Sequence, residues 1–161
     1  MGITIGPVDW WLASPQAYSG LIAGCPAGTP LPDGSHIICK AGGTAWIIAP
    51  NCTEVNQTWN NSTTTQVGNK CCVCDWPTLC SKMISCGFNP ADWFVPSASQ
   101  LQNPGYVCRT QWDPLPANHY WTSTEWNTIR ACAVCWCNGT AEAGNNKTTT
   151  SSVRAFRCVT Y

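Results

Sequence analysis

Two short cysteine runs are the residues of this sequence best equipped for chemistry: CCVC, holding Cys71, Cys72 and Cys74, and CAVCWC, holding Cys132, Cys135 and Cys137. Each contains a C-x-x-C pair, and four thiolates brought together would hold Zn²⁺ in a tetrahedron. The two pairs, however, lie much farther apart than the about 15–20 residues of a zinc ribbon. The second run also reads as a strand, whose alternation sends Cys132, Val134 and Trp136 to one face and Ala133, Cys135 and Cys137 to the other. Cys132 and Cys135 then face apart and do not share an ion. No metal site is expected, and no cofactor.

The thirteen cysteines read instead as disulfide partners: Cys25, Cys39, Cys52, Cys71, Cys72, Cys74, Cys80, Cys86, Cys108, Cys132, Cys135, Cys137 and Cys158. Six bridges would leave one thiol over. Such density belongs to oxidising surroundings, yet the first residues, MGITIGPVDWWLAS, lack the basic and apolar regions of a secretory signal. The combination points either to a processed chain or to a virion or extracellular protein whose thiols oxidise after release. Nucleophilic catalysis finds little support: His36 and His119 lie in or beside strand-like runs with no nucleophile in a recognisable motif.

The elements that must position these residues begin with the last quarter of the chain. YWTSTE (120–125), ACAVCWCNG (131–139) and SVRAFRCVTY (152–161) read as three antiparallel strands, the second closed by an Asn138-Gly139 turn. Upstream, HIICK (36–40) and TAWIIAP (44–50) flank Ala41-Gly42-Gly43 and form a hairpin. Residues 51–70 are polar and read as a solvated loop. A helix opens at Asp75-Trp76-Pro77, with Asp75 near its N-cap, buries Leu79, Met83 and Ile84, and stops at Gly87. Ser97 with Gln100 three residues on is a capping-box match for a second short helix. Residues 103–118 are an irregular loop in which Tyr106 and Trp112 pack locally.

YWTSTE, the strand around Trp136 and NKTTTSSVRAFRCV, preceded by WFVPSASQL (93–101), together resemble the C-type-lectin-like domain of the formylglycine-generating-enzyme type. Variants of that domain sit at the tips of Legionella collagen-like adhesins and in bacterial surface and phage tail proteins. The resemblance covers about residues 34–161. It implies an α+β fold: a twisted antiparallel sheet, two short helices and long disulfide-pinned loops. Residues 34–161 would form that domain, and the Gly-, Pro- and Ser-rich residues 1–33 an N-terminal arm that docks onto other virion structural proteins.

Formylglycine-generating enzymes oxidise a substrate cysteine with a cysteine pair, but neither member of that pair can be matched here. The Glu-Pro-Asn and Gln-Pro-Asp triplets of calcium-dependent lectins are also absent. Eight basic and eight acidic residues cancel, and charged residues make up 10% of the chain against about 25% in ordinary domains, so no nucleic acid is expected as partner. No apolar run is long enough to span a membrane.

What remains is a binding surface rich in Trp, Asn and Thr, a composition that gives contact area and adaptable hydrogen bonds. Trp126, Asn127, Thr128, Arg130, Asn138 and Asn146 are the expected ligand-binding residues, while Trp121 and Trp136 read as core. The expected protein is a non-enzymatic tail-fibre or adhesin module, acting as a homo-oligomer, that recognises a host surface glycan or protein. The alternatives are a structural decoration or connector protein and, third, a formylglycine-generating-type oxidase.

Overall fold

The computed structural model describes residues 20, 22–61, 64–113 and 118–161. Of the expected arm, residues 1–19 and 21 lie outside that set. The rest of it joins the domain: Ile22 and Leu31 are buried in the core, and Lys40 Nζ donates to the carbonyls of Ile22, Ala23 and Cys25.

The fold is α+β, with two sheets and two helices among the described residues. β1 (His36–Ala41) and β2 (Thr44–Ile48) are the expected hairpin. Gly42 and Gly43 make its turn at φ of +58° and +78°, values that L side chains rarely adopt. β3 (Val55–Thr58) crosses the stretch read as a polar loop. Helices α1 (Pro77–Ser85) and α2 (Ala98–Gln100) follow, then β4 (His119–Glu125), β5 (Arg130–Cys135), β6 (Ala141–Asn146), β7 (Thr150–Val153) and β8 (Phe156–Thr160). A small sheet runs β1-β2-β8 and a larger one β3-β7-β4-β5-β6. All pairings are antiparallel except β4 with β7, which meet in parallel at Tyr120 and Ser152.

The closing run SVRAFRCVTY is therefore not one strand. It breaks at Arg154-Ala155, ends the large sheet with β7 and enters the small one with β8, where Phe156 pairs with Ile48. The break buries Arg154, whose Nε donates to Ala49 O at 2.8 Å and whose Nη1 lies 3.5 Å from Glu54 Oε2. Tyr120 joins this group, its hydroxyl 2.9 Å from Glu54 Oε2 and 2.6 Å from Asp113 Oδ2. Burial first, and then both carboxylates, push the Tyr120 phenol well above its ordinary value.

The large sheet has a core on each face, and the alternation of β5 assigns its residues between them. Ala131 and Ala133 belong to a cluster with Trp59, Trp76, Leu79, Met83, Trp93 and Trp121. Val134 and Trp136 belong to a second cluster with Trp112, Tyr120 and Phe156, in which the Trp136 ring lies 4.7 Å from Tyr120 and 4.8 Å from Trp112. Trp121 and Trp136 are thus core, as expected, and Trp112, whose Nε1 donates to Gly105 O within its own loop, also packs against Trp136.

Helix α1 starts without a side-chain cap: Trp76 stands at the N-cap position, and Asp75 ends a preceding 3-10 turn. The exposed donor is met from another element, since Gln57 Oε1 on β3 accepts the Leu79 N–H at 2.9 Å. Leu79 and Met83 are fully buried, but Ile84 is 60% exposed, because a nine-residue helix lying on one sheet buries only its i, i+4 stripe. The Ser97–Gln100 capping box is present in both directions.

Candidate functional site

The turn between β4 and β5 is built from its own side chains. Asn127 Oδ1 accepts the backbone N–H of Ile129 at 2.9 Å and of Arg130 at 2.8 Å, while Arg130 O accepts the N–H of Trp126 and of Asn127. An Asn used in this way closes its own turn and has no acceptor left for a ligand. The residues thrown outward are Trp126, 60% exposed, and Ile129, 47% exposed, with the exposed Arg130 next to them. Thr128 is half-buried.

Beneath the turn lies a buried clamp. Lys147 is fully buried; its N–H donates to Ile129 O at 2.9 Å, and its carbonyl accepts from Trp59 and Asn60. Lys147 Nζ meets Glu125 Oε1 at 2.5 Å and lies 5.0 Å from the Trp59 ring centroid. Glu125 also accepts the N–H groups of Val67 and Gly68 at 2.9 and 2.8 Å. Burial alone would raise this carboxyl, but Lys147 and the two amides outweigh it and hold it below the ordinary range. Glu125 closes β4 at the tip, whereas Arg154 follows β7 near Glu54 and Ala49, so the two do not pair across the sheet.

The remaining expected ligand residues divide. Asn146 pairs with Arg130 in the β5–β6 register and so belongs to the tip, although its Oδ1 caps Thr148 through N and Oγ1. Asn138 sits at the other end of β5, one strand length or roughly 20 Å away, where its Oδ1 accepts from Thr140 N and Oγ1. It cannot join Trp126 in one small site. One cleft of about 260 Å³ lies beside the clamp, between Asn60, Val67, Asn69, Lys70 and Asp75; one of about 350 Å³ lies between Asp33, Phe88, Trp93 and Arg157, and another of about 430 Å³ between His36, Gln111, Trp112 and Arg154, and Trp126 and Ile129 line none of the three. The tip is a protrusion, suited to a surface and not to an engulfed small molecule.

Among the cysteines, Cys135 and Cys137 are joined and the other eleven are thiols. Several of those thiols touch. Cys39 meets Cys108 and Cys52 meets Cys86; burial first, and then these contacts, push the Cys108 and Cys52 thiols up, and Cys86 Sγ lies 3.2 Å from Cys52 O. Cys74 touches Cys72 and Cys80, and the hydrogen bond with Cys72 is the main reason its thiol is pushed up to about 11. Cys25, Cys71, Cys132 and Cys158 are thiols as well.

The β5 end opposite the tip gathers His119, Cys135 and Glu142, whose ligand atoms lie within 4.8 Å of one another. Sequence reasoning passed over Glu142 and found no partner for His119. The signal was present in the register, since His119 pairs with Cys135 across β4 and β5. Compared with known proteins, the chain matches no family model and no curated protein.

Proposed function

We propose that this protein is a non-enzymatic binding module of C-type-lectin-like type, a virion tail-fibre or adhesin component that engages a host surface ligand such as a glycan through the β4–β5 tip. The observation that carries this reading is the exposure of Trp126 and Ile129 on a turn fixed by Asn127 and by the Lys147–Glu125 clamp. A large aromatic side chain held in water on a rigid turn has little entropy left to lose on binding, which is the character of an interface anchor. Arg130 adds a donor fork for the hydroxyls or carboxylates of a sugar coat. The sequence resemblance of YWTSTE and SVRAFRCV to lectin-like domains supports a binding role for the domain.

A single tip of this size is a small contact. Useful attachment therefore calls for several copies acting together, which is why a homo-oligomer belongs to the proposal. The reading is tested by presenting the intact protein, at native valency, to host envelope preparations and to an array of surface glycans. Saturable binding removed by excess soluble ligand is the expected result. No binding to any surface, together with stable incorporation into the particle, would favour a structural decoration role.

A further inference from the structure

Strands β4, β5 and β6 bring three potential metal donors together at one end of the large sheet, and the turn that follows β5 adds a fourth. His119 stands directly opposite Cys135. Glu142 stands opposite Ala133, the neighbour of Cys135 on that face, and so is its diagonal neighbour. Cys137, two residues on, is bonded to Cys135 and exposed. His119 Nε2 lies 3.2 Å from Glu142 Oε2, and Cys135 Sγ lies within 4.8 Å of both. The imidazole and carboxylate side chains are 41% and 45% exposed, leaving each room to turn toward a shared ion.

We propose that reduction of the Cys135–Cys137 bridge opens a Cys₂-His-Glu site for a borderline-soft divalent cation of the zinc class. With the bridge closed, neither sulfur is a thiolate and the site cannot form. A dithiol reductant attacks the exposed Cys137 sulfur, breaks the S–S bond and supplies two electrons; it leaves as its own cyclic disulfide, and Cys135 and Cys137 become thiols. The cation then displaces the two thiol protons and takes sulfur from both cysteines, nitrogen from His119 and oxygen from Glu142. The Cys135–Cys137 bond already holds these two sulfurs side by side, whereas Cys132, three residues before Cys135 on β5, faces the other way. The mixed N, S and O donor set matches zinc and not the all-oxygen shell of calcium or magnesium. The site is independent of the binding tip at the far end of β5.

The test is a Co²⁺ titration of the whole protein, reduced anaerobically and freed of reductant, read by the thiolate-to-cobalt absorption and the tetrahedral d–d bands. The Cys72, Cys74 and Cys80 thiols make a control necessary, so the same titration is run on a variant with all three changed to Ser. Expected is an ion that binds the reduced protein and this control but not the oxidised protein. Its thiolate band should fall in Cys137→Ser. Affinity should drop at least about tenfold in His119→Asn and Glu142→Gln, since even outer-sphere changes cost about 10–100-fold. All three changes are at exposed or half-exposed positions, and far-ultraviolet circular dichroism checks that folding survives. Equal affinity in these three variants, loss of the ion in the Cys72/Cys74/Cys80 control, or no binding after reduction would each overturn the proposal.

Discussion

Lys147 and Glu125 form an ion pair closed off from solvent, Nζ 2.5 Å from Oε1, with side chains 0% and 6% exposed. The pair joins the β6–β7 turn to the end of β4 and thereby sets the base from which the tip projects. Glu125→Ala leaves the Lys147 ammonium buried without its counter-charge, a class of change that costs about 3–5 kcal/mol. Urea unfolding should show that loss, and the double change Glu125→Leu with Lys147→Met should recover most of it. A single variant as stable as wild type would mean that the pair does not hold the tip.

The same carboxyl sets an acid limit. Its folded value lies below the ordinary 4.5, so the unfolded chain takes up the proton at higher pH than the folded chain. The contribution is complete above that ordinary value and is lost as pH falls through the lower, folded one. Comparing wild type with Glu125→Gln from about pH 6 down to about pH 3 isolates the term. The stability difference between the two should shrink on acidification; a constant difference would contradict the assignment.

Gln57 tests the cap that α1 borrows. Gln57→Ala removes the acceptor for the Leu79 N–H and should cost about 0.5–2 kcal/mol, the range of side-chain caps. Ile84→Lys, on the exposed side of the same helix, should stay within about 0.5 kcal/mol of wild type. Equilibrium unfolding of both variants separates the two roles.

Where local chemistry decides the structure, it could be read in advance. Gly42-Gly43 demands a hairpin, Ser97 and Gln100 cap a helix, and the alternation of ACAVCWC sorts Ala133 and Val134 into different cores. What could not be read depends on partners distant in the chain. VNQT carries no alternating pattern and is a strand because Val55 to Thr58 pair with Thr150 to Val153, helped by the Ser152–Asn56 side-chain bond. The break at Arg154-Ala155 contains neither Gly nor Pro and follows from two sheets competing for one run. AEAGNN has low strand propensity, so Glu142 becomes visible only once β6 is laid beside β5. At the tip, Trp126 and Arg130 could be picked by composition, but the self-capping of Asn127 and Asn146 there, and of Asn138 at the other end of β5, shows only in three dimensions.

The touching thiols predict a connectivity. Exposure to glutathione disulfide, which accepts two electrons per bridge and leaves as two glutathiones, should join Cys39 to Cys108 and Cys52 to Cys86. The Cys52–Cys86 bridge closes a separation of 34 residues and should add roughly 4 kcal/mol in the loop-entropy account. Peptide mapping without reduction identifies the pairs, and cross-linked peptides joining other cysteines in their place would refute them.

The central claim is that the β4–β5 tip is where this protein holds its ligand. The most direct measurement is equilibrium attachment of the intact protein to host envelope for wild type, Trp126→Ala and Arg130→Ala, with circular dichroism confirming unchanged folding. Each change should weaken attachment at least about tenfold, or ~1.4 kcal/mol, because both side chains point into water and away from the cores. Attachment equal to wild type in both variants would contradict the account and move the function away from the tip.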